Sequence, residues 1–409
     1  MTNVPEIRFK GFADAWEQRK LVDNVDEILD FRGKSPARFD MEWGNKGYLV
    51  LSALNVKDGF IDKTIDAKFG DSELYNIWMG KKRLKKGDVL FTTEAPLGNV
   101  AQIPDNENYF LNQRVVAFKT NPIKTDNDFL AQLLRSPNAQ DLLMANATGG
   151  TAKGIGMKEF VKLSAHVPIS VDEQRKLGAF FRTLDNTIAI YKRKLEGLRE
   201  LKKAYLQMMF PQAGEAAPRI RFAGFDEPWE QKGANEIFYT VSDKGHSHLP
   251  VLSASQEHGM ILRNEIGIDI KFDRANTATY KRVLPGQFVI HLRSFQGGLA
   301  YSSIEGITSP AYTVIDFIEK DKQIPEFWIE VMRSEKFIKM LESVTYGIRD
   351  GRSISFNDFS ILKMPYPSYD EQMAIGQFFR SLDSYIHRLQ SRTNALAKLK
   401  SSYLQKMFT

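Results

Sequence analysis

Two stretches of the chain carry apolar residues in alternating steps of four and three. After Glu173 the stripe runs through Leu177, Phe181, Leu184, Ile188, Tyr191, Leu195, Leu198, Lys202, Tyr205 and Met209. The second runs through Ile375, Phe379, Leu382, Ile386, Leu389, Thr393, Leu396, Lys400, Tyr403 and Met407. This is the a/d rhythm of a coiled coil, and it predicts long helices over 171–210 and 369–409. A seam of about 38 residues spans roughly 57 Å at 1.5 Å per residue, longer than a typical globular helix, and one apolar stripe of that length needs a partner. The interruptions also correspond between the copies, Lys202 with Lys400 and Leu195 with Thr393.

The helices belong to a duplication of the whole chain. IRFKGFADAWEQ at 7–18 returns as IRFAGFDEPWEQ at 220–231, and VLSA at 50–53 returns at 251–254. LKKGDVLF at 84–91 returns more loosely as VLPGQFVI at 283–290. From Arg135-Ser136 with Arg333-Ser334 the offset settles at 198 and carries Glu173-Gln174 to Glu371-Gln372, Gly178 to Gly376, Phe180-Phe181 to Phe378-Phe379 and Tyr205-Leu206-Gln207 to Tyr403-Leu404-Gln405. Each half therefore opens and closes alike and differs in its middle. Drift after gene duplication accounts for part of that; a division of labour, with shared ends as scaffold and divergent middles reading different targets, accounts for the pattern better.

Chain order sets how the helices pair. The first helix ends at Phe210, and only the linker PQAGEAAP at 211–218 precedes a second domain over 219–368. The second helix leaves that domain and packs along the first by running back toward the domain over 1–170. Antiparallel pairing follows, with an approximate two-fold relation between the domains. The alternative is two unrelated amphipathic helices, each folded on its own domain. Inside each half, short β-rich runs (47–51, 88–92, 114–118) precede helical stretches (129–134, 139–144), so the fold class is α+β.

Candidate reading residues lie in loops after the apolar runs. They are Thr93, Glu94 and Asn99 in TTEAPLGN, Asn112, Gln113 and Arg114 in LNQR, and Arg293, Ser294 and Gln296 in HLRSFQGG. Arginine suits guanine, asparagine or glutamine suits adenine, and glutamate suits cytosine, although loop capping uses the same residue types. The glycine-rich loops GGTAKGIG at 149–156 and YGIRDGRSI at 346–354 add Lys153, Arg349 and Arg352. Neither loop has the GK[ST] of a phosphate-binding P-loop; a turn whose backbone approaches DNA phosphates and a plain turn before a strand both remain open.

Charge narrows the picture only slightly. The net charge of +6 with pI near 9.1 permits a polyanionic partner. The helix segments 171–210 and 369–408 carry excesses of four and three positive charges, more than the whole net charge, so the domains are near neutral and any DNA contact there comes from local clusters. The absence of cysteine excludes disulfides and thiolate chemistry. His246, His248 and His258 occur in one half only and lack the i, i+4 helical spacing of a zinc site. No GxSxG elbow is present, and NPIK at 121–124 falls short of an adenine-methyltransferase tetrapeptide. No catalytic residue, metal or cofactor is assigned to this chain. With no apolar run of bilayer length, a cytoplasmic protein is expected.

Taken together, the duplicated domains and the repeated entries to the helices, PISVDEQ at 168–174 and PYPSYDEQ at 365–372, resemble the specificity subunits of type I restriction-modification enzymes along essentially the whole chain. The resemblance implies two target-recognition domains, each reading one half of an interrupted double-stranded DNA site, with the helices as conserved spacers that set the gap. It also implies docking of two methyltransferase subunits that use S-adenosylmethionine to modify adenine, and of ATP- and Mg2+-dependent restriction and translocation subunits. A rival reading is a coiled-coil scaffold that joins two protein-binding domains and never touches DNA.

Overall fold

The computed structural model describes residues 4–212, 215–255, 258–266, 274–292, 294–345 and 354–408. It divides into two compact units: Met1–Arg193 with Gln390–Thr409, and Lys194–Leu389. Both are α+β and share one plan. In the first, an antiparallel four-stranded sheet runs in the order Glu27–Asp30, Val115–Lys119, Val89–Thr93, Leu97–Gln102. In the second, the order is Phe238–Val241, Thr313–Phe317, Phe288–Ile290, Ala300–Tyr301. Helix pairs follow at matching places, Asn127–Arg135 with Pro137–Ala145 and Pro325–Arg333 with Glu335–Ser343. A two-stranded ribbon closes each unit, pairing Glu17–Lys20 with Ser164–Val167 and Glu230–Gly233 with Lys363–Tyr366.

The central strands of the first unit are apolar without a break because both faces are covered. Val89, Phe91, Val116 and Phe118 enter the core beneath the helix pair, whereas Leu90, Val115 and Ala117 enter a second core. That second core holds a further layer: the three-stranded sheet Phe69–Gly70, Tyr48–Leu51, Tyr109–Leu111 and the helix Ser72–Met79. The second unit instead builds the pairs Leu252–Ser255 with Gly259–Leu262 and Lys281–Val283 with Gly306–Thr308. The divergence of the middle sequences is thus a divergence of this added layer.

The long helices extend over Val171–Met208 and Tyr369–Met407. Each is gripped at its start by the Glu-Gln pair. Glu173 accepts from Arg8 at 2.6 and 2.8 Å and from the Trp16 indole at 3.4 Å. Glu371 accepts from Arg221 at 2.8 Å twice and from Trp229 at 2.9 Å. The neighbouring Gln174 accepts from the Asp126 N–H and donates to the Pro168 carbonyl, as Gln372 does with Ile324 and Pro367. The repeated glycine one turn on has its own reason. A Cβ on Gly178 would lie 2.7 Å from the Phe129 nitrogen, and one on Gly376 would lie 3.0 Å from the Phe327 nitrogen.

Within each unit the two helix segments run antiparallel. In the first, Phe180 meets Tyr403, Phe181 meets Phe408 and Asp185 pairs with Lys400 at 2.6 Å, so numbers fall along one helix as they rise along the other. In the second, Tyr205 meets Phe378, Phe210 meets Phe379 and Lys202 pairs with Asp383 at 2.8 Å. The lysines that interrupt the stripes are therefore ion-pair partners rather than flaws. Among the seam residues, Leu177, Phe181, Ile188, Leu195, Ile375, Phe379 and Leu389 are buried and Leu184, Leu198, Leu382, Ile386 and Leu396 are half-buried. One refinement to the heptad picture emerges: Leu177, Phe181, Ile375 and Phe379 are built into the domain cores, not only into a helix-helix seam. Those cores are completed by helix tails. Phe408 packs on Trp16, Phe129 and Phe181, and Phe210 on Trp229, Phe327 and Phe379.

The ion pairs differ in one respect. Asp185 is shared by Lys400, Arg135 at 2.6 Å and the Gln132 amide at 2.9 Å. Burial pushes its carboxyl up, but Arg135 and Lys400 overcome that and hold it below its ordinary value. In the second unit Lys202 serves two carboxylates, Asp383 and Glu330 at 3.1 Å, and Glu330 stands where the repeat has Gln132. Burial pushes Glu330 up, Lys202 pulls it back and Asp383 raises it again, leaving it above its ordinary value.

Phe408→Ala, which opens a void among three aromatic rings, should cost about 3–5 kcal/mol in a urea titration. Stability contributed by Asp185 is present above its ordinary pKa and lost as pH falls through the lowered one; for Glu330 it is present below the ordinary pKa and lost as pH rises through the raised one. Glu330→Gln should therefore be neutral or stabilising at pH 7, whereas Asp185→Asn, which strands Lys400, should cost on the order of 3 kcal/mol.

Candidate nucleic-acid interface

The candidate residues of the first unit converge at one end of its sheet. Val89–Thr93 pairs with Val115–Lys119, which sets Thr93 and Glu94 beside Arg114, and the Thr93 N–H donates to the Arg114 carbonyl at 2.8 Å. The glycine-rich loop closes over the same place. The Ile155 N–H donates to the Thr93 carbonyl at 2.8 Å, Gly154 bridges Glu94, and Thr148 and Gly154 exchange two backbone bonds of 2.9 Å. Glycine is required at 154 because a Cβ there would sit 2.8 Å from that of Glu94. Gly149, at φ +106°, would carry a Cβ 2.4 Å from the Ala152 carbonyl oxygen. The loop is thus a tight turn fastened to the strand end, with Lys153 exposed on it.

Two clefts meet at Ala95. One, about 590 Å³, is lined by Ala95–Leu97, Met144 and Gly150–Lys153. The other, about 420 Å³, is lined by Ser52, Asp66, Lys68, Ala95 and Asn112–Arg114, among others. Gln113 and Arg114 are exposed and Asn112 is half-buried. Arg114 sits at φ +66°, a conformation uncommon for a side chain of its size, and its guanidinium pairs with Glu94 at 2.8 Å. Charges here are matched: Arg32 pairs with Asp30 at 2.5 Å and Lys68 with Asp66 at 3.3 Å. Sequence reasoning missed Asp30, Arg32, Ser52, Asp66 and Lys68. No motif marks them, and only the strand pairing of Glu27–Asp30 with Val115–Lys119 brings the first two to the site.

Other candidates have structural work that competes with a reading role. Thr93 is buried and holds the strand end through its backbone. Asn99 is half-buried; its amide donates to the Val56 carbonyl at 2.9 Å, and its N–H donates to the Thr92 hydroxyl at 2.8 Å. In the second unit Ser294 is fully buried and accepts from the His291 N–H at 2.9 Å, opening the short helix Ser294–Gly297, on which Gln296 is exposed. Arg293, Arg349 and Arg352 lie outside the described residues. HLRSFQGG and TTEAPLGN occupy the same topological position, joining the third and fourth strands in the order of their sheets, yet one contains a short helix and the other a hairpin. The two repeats therefore present different chemistry from one address in a common frame.

A duplicated α+β protein with a long helix after each domain is the class that this architecture defines. Residues 16–200 match the family model described as the type I restriction modification DNA specificity domain, and the chain resembles type I specificity subunits along its whole length. It is 21% identical to the type I restriction enzyme MjaVIII specificity subunit of Methanocaldococcus jannaschii, over 100% of this chain and 95% of that protein. The fold is that of the type I restriction-modification S subunit from M. genitalium, at a TM-score of 0.63, 14% identity and 99% coverage of both chains. A chain from a solved type I R-M system aligns over 96% of this chain and 97% of its own length, with 15% identity and a TM-score of 0.50. Among the described residues, no helix is long and apolar enough to cross a membrane.

Asn99→Ala should cost about 1–2 kcal/mol in stability, as expected for unpairing a half-buried amide, and leave any sequence preference of the protein unchanged in a binding-site selection.

Proposed function

We propose that this chain is the non-catalytic DNA-reading subunit of a type I restriction-modification enzyme. Each domain reads one half of a bipartite site in double-stranded DNA, and the two long helices set the gap and dock two methyltransferase subunits. S-adenosylmethionine, ATP and Mg2+ belong to the methyltransferase and restriction subunits in this reading, and the site of modification is an adenine in each half. The observation that carries it is the contrast between a repeated frame and unrepeated faces. Arg8, Trp16 and Glu173 recur as Arg221, Trp229 and Glu371 with the same bonds, whereas the links TTEAPLGN and HLRSFQGG at the sheet ends share neither sequence nor conformation. A scaffold joining two protein-binding domains would need the helices but gives no account of Arg, Glu, Asn and Gln side chains gathered at clefts on one sheet end, the groups that read base edges.

The test is an exchange of residues 1–165 for those of another specificity subunit, followed by sequencing of methylated adenines in cells that carry the matching methyltransferase. One half of the modified sequence should change and the other should stay. A change in both halves, or no sequence-dependent methylation that follows this gene, would refute the reading.

A further inference from the structure

The ion pairs at the first unit's sheet end are unequal. Asp30 holds Arg32 through both carboxylate oxygens, with Nε at 2.8 and 3.0 Å, and also accepts from the Arg32 backbone N–H at 3.0 Å. Arg114 hangs from Glu94 by a contact of 2.8 Å, and 53% of its side chain is exposed. Strand register carries both arginines to the same sheet end, since Asp30 lies opposite Val116, with Arg32 two residues beyond the one and Arg114 two residues before the other. Glu94 pairs with Arg114 and is near enough to act electrostatically on Arg32. Arg32 is held above the ordinary arginine value by its bond to Asp30, against burial, and Glu94 adds to the same pull.

We propose that Arg114 reads a guanine in the half-site of the first domain, with Glu94 as its resting partner and Arg32 as a positioning residue. This rests on the DNA-reading function proposed above. Guanine offers two acceptors, O6 and N7, on its major-groove edge, and a guanidinium meets them with two parallel N–H bonds that no other base accepts in that pattern. Arg114 is suited to the exchange because its Cα is fixed through the bond from Thr93 to its carbonyl, while its guanidinium is held by a half-exposed carboxylate. When Arg114 moves to the base, Glu94 keeps the field of Arg32, which Asp30 holds in place. Glu94 is also half-exposed, so solvent screens the carboxylate that the exchange leaves behind. Asn112 and Gln113, next in the chain, are left for adjoining base pairs.

The experiment is selection from randomised duplexes by the full chain assembled with type I methyltransferase subunits, comparing the natural protein with Arg114→Ala, Arg114→Lys, Arg32→Ala and Arg32→Ala combined with Glu94→Gln. The selected half-site should contain a G·C pair whose preference falls by about 5- to 150-fold in both Arg114 variants. The other half-site should be unchanged, which also shows that the variants fold. Arg32→Ala should weaken binding without altering the bases chosen, and adding Glu94→Gln should restore it, a rescue that a merely structural role for Arg32 would not give. Full preference at every position in the Arg114 variants, or no rescue by Glu94→Gln, would overturn the assignment while leaving DNA reading intact. Absence of any sequence selection by the natural protein would defeat both.

Discussion

A buried carboxylate at the start of each long helix organises the molecule. Glu173 and Glu371 each have 2% of the side chain exposed, and their partners come from far back in the chain, Arg8 and Trp16 for one, Arg221 and Trp229 for the other. An ionised carboxylate removed from water without partners costs several kcal/mol, so the helix cannot take its place unless the opening segment of its repeat is already there. That requirement explains why IRFKGF…WEQ and IRFAGF…WEQ recur with so little change. They are clamps on a helix rather than parts of a reading face. The same segment carries the ribbon strand that pairs with Ser164–Val167 or Lys363–Tyr366, so one constraint fixes the first and last elements of the domain together.

Around the clamp, aromatic packing extends the same logic. Trp16 and Trp229 each present an indole N–H to the carboxylate and meet a phenylalanine of a helix tail, Phe408 or Phe210, in a T-shaped contact. The Ile7 N–H donates to the Lys406 carbonyl, and the Ile220 N–H to that of Met208. The clamp residues thus hold one helix by its start and the other by its end, which makes the antiparallel pairing inside each unit a property of the domain core as much as of the heptad stripe. Lys400 and Lys202 then set the register through Asp185 and Asp383. The exchange of Gln132 for Glu330 shows how far this frame tolerates drift: the extra carboxylate is accommodated by the same lysine, at the expense of a raised proton affinity.

In the proposed reading, function is laid over this frame at the sheet ends. A hairpin at residues 93–97 in one unit and a short helix at 294–297 in the other occupy the same link between strands. Because the frame is held elsewhere, that link can change its conformation and its side chains without disturbing the clamp. In the first unit it meets a cleft lined by Ala95, Asn112, Gln113 and Arg114, with Glu94 paired to Arg114.

The duplication, the α+β class, the two long helices and their antiparallel sense were legible in the chain itself, because periodicity and repetition are local properties that survive without coordinates. The chain also indicated that Glu94, Asn112, Gln113, Arg114 and Lys153 lie in loops, but not that those loops meet. What tertiary structure alone decided is which polar residues look outward. Asn99 and Ser294 have the chemistry of readers but spend it on the Val56 carbonyl and the His291 N–H, while Arg32, which no motif marks, arrives at the same sheet end as Arg114 through a strand pairing between residues more than eighty positions apart. Glu173 looked like the first position of a heptad, and only the folded chain shows it as the clamp. Side-chain type states what a residue can bond; the partners that are already within reach determine what it does bond, and those are set by contacts distant in sequence.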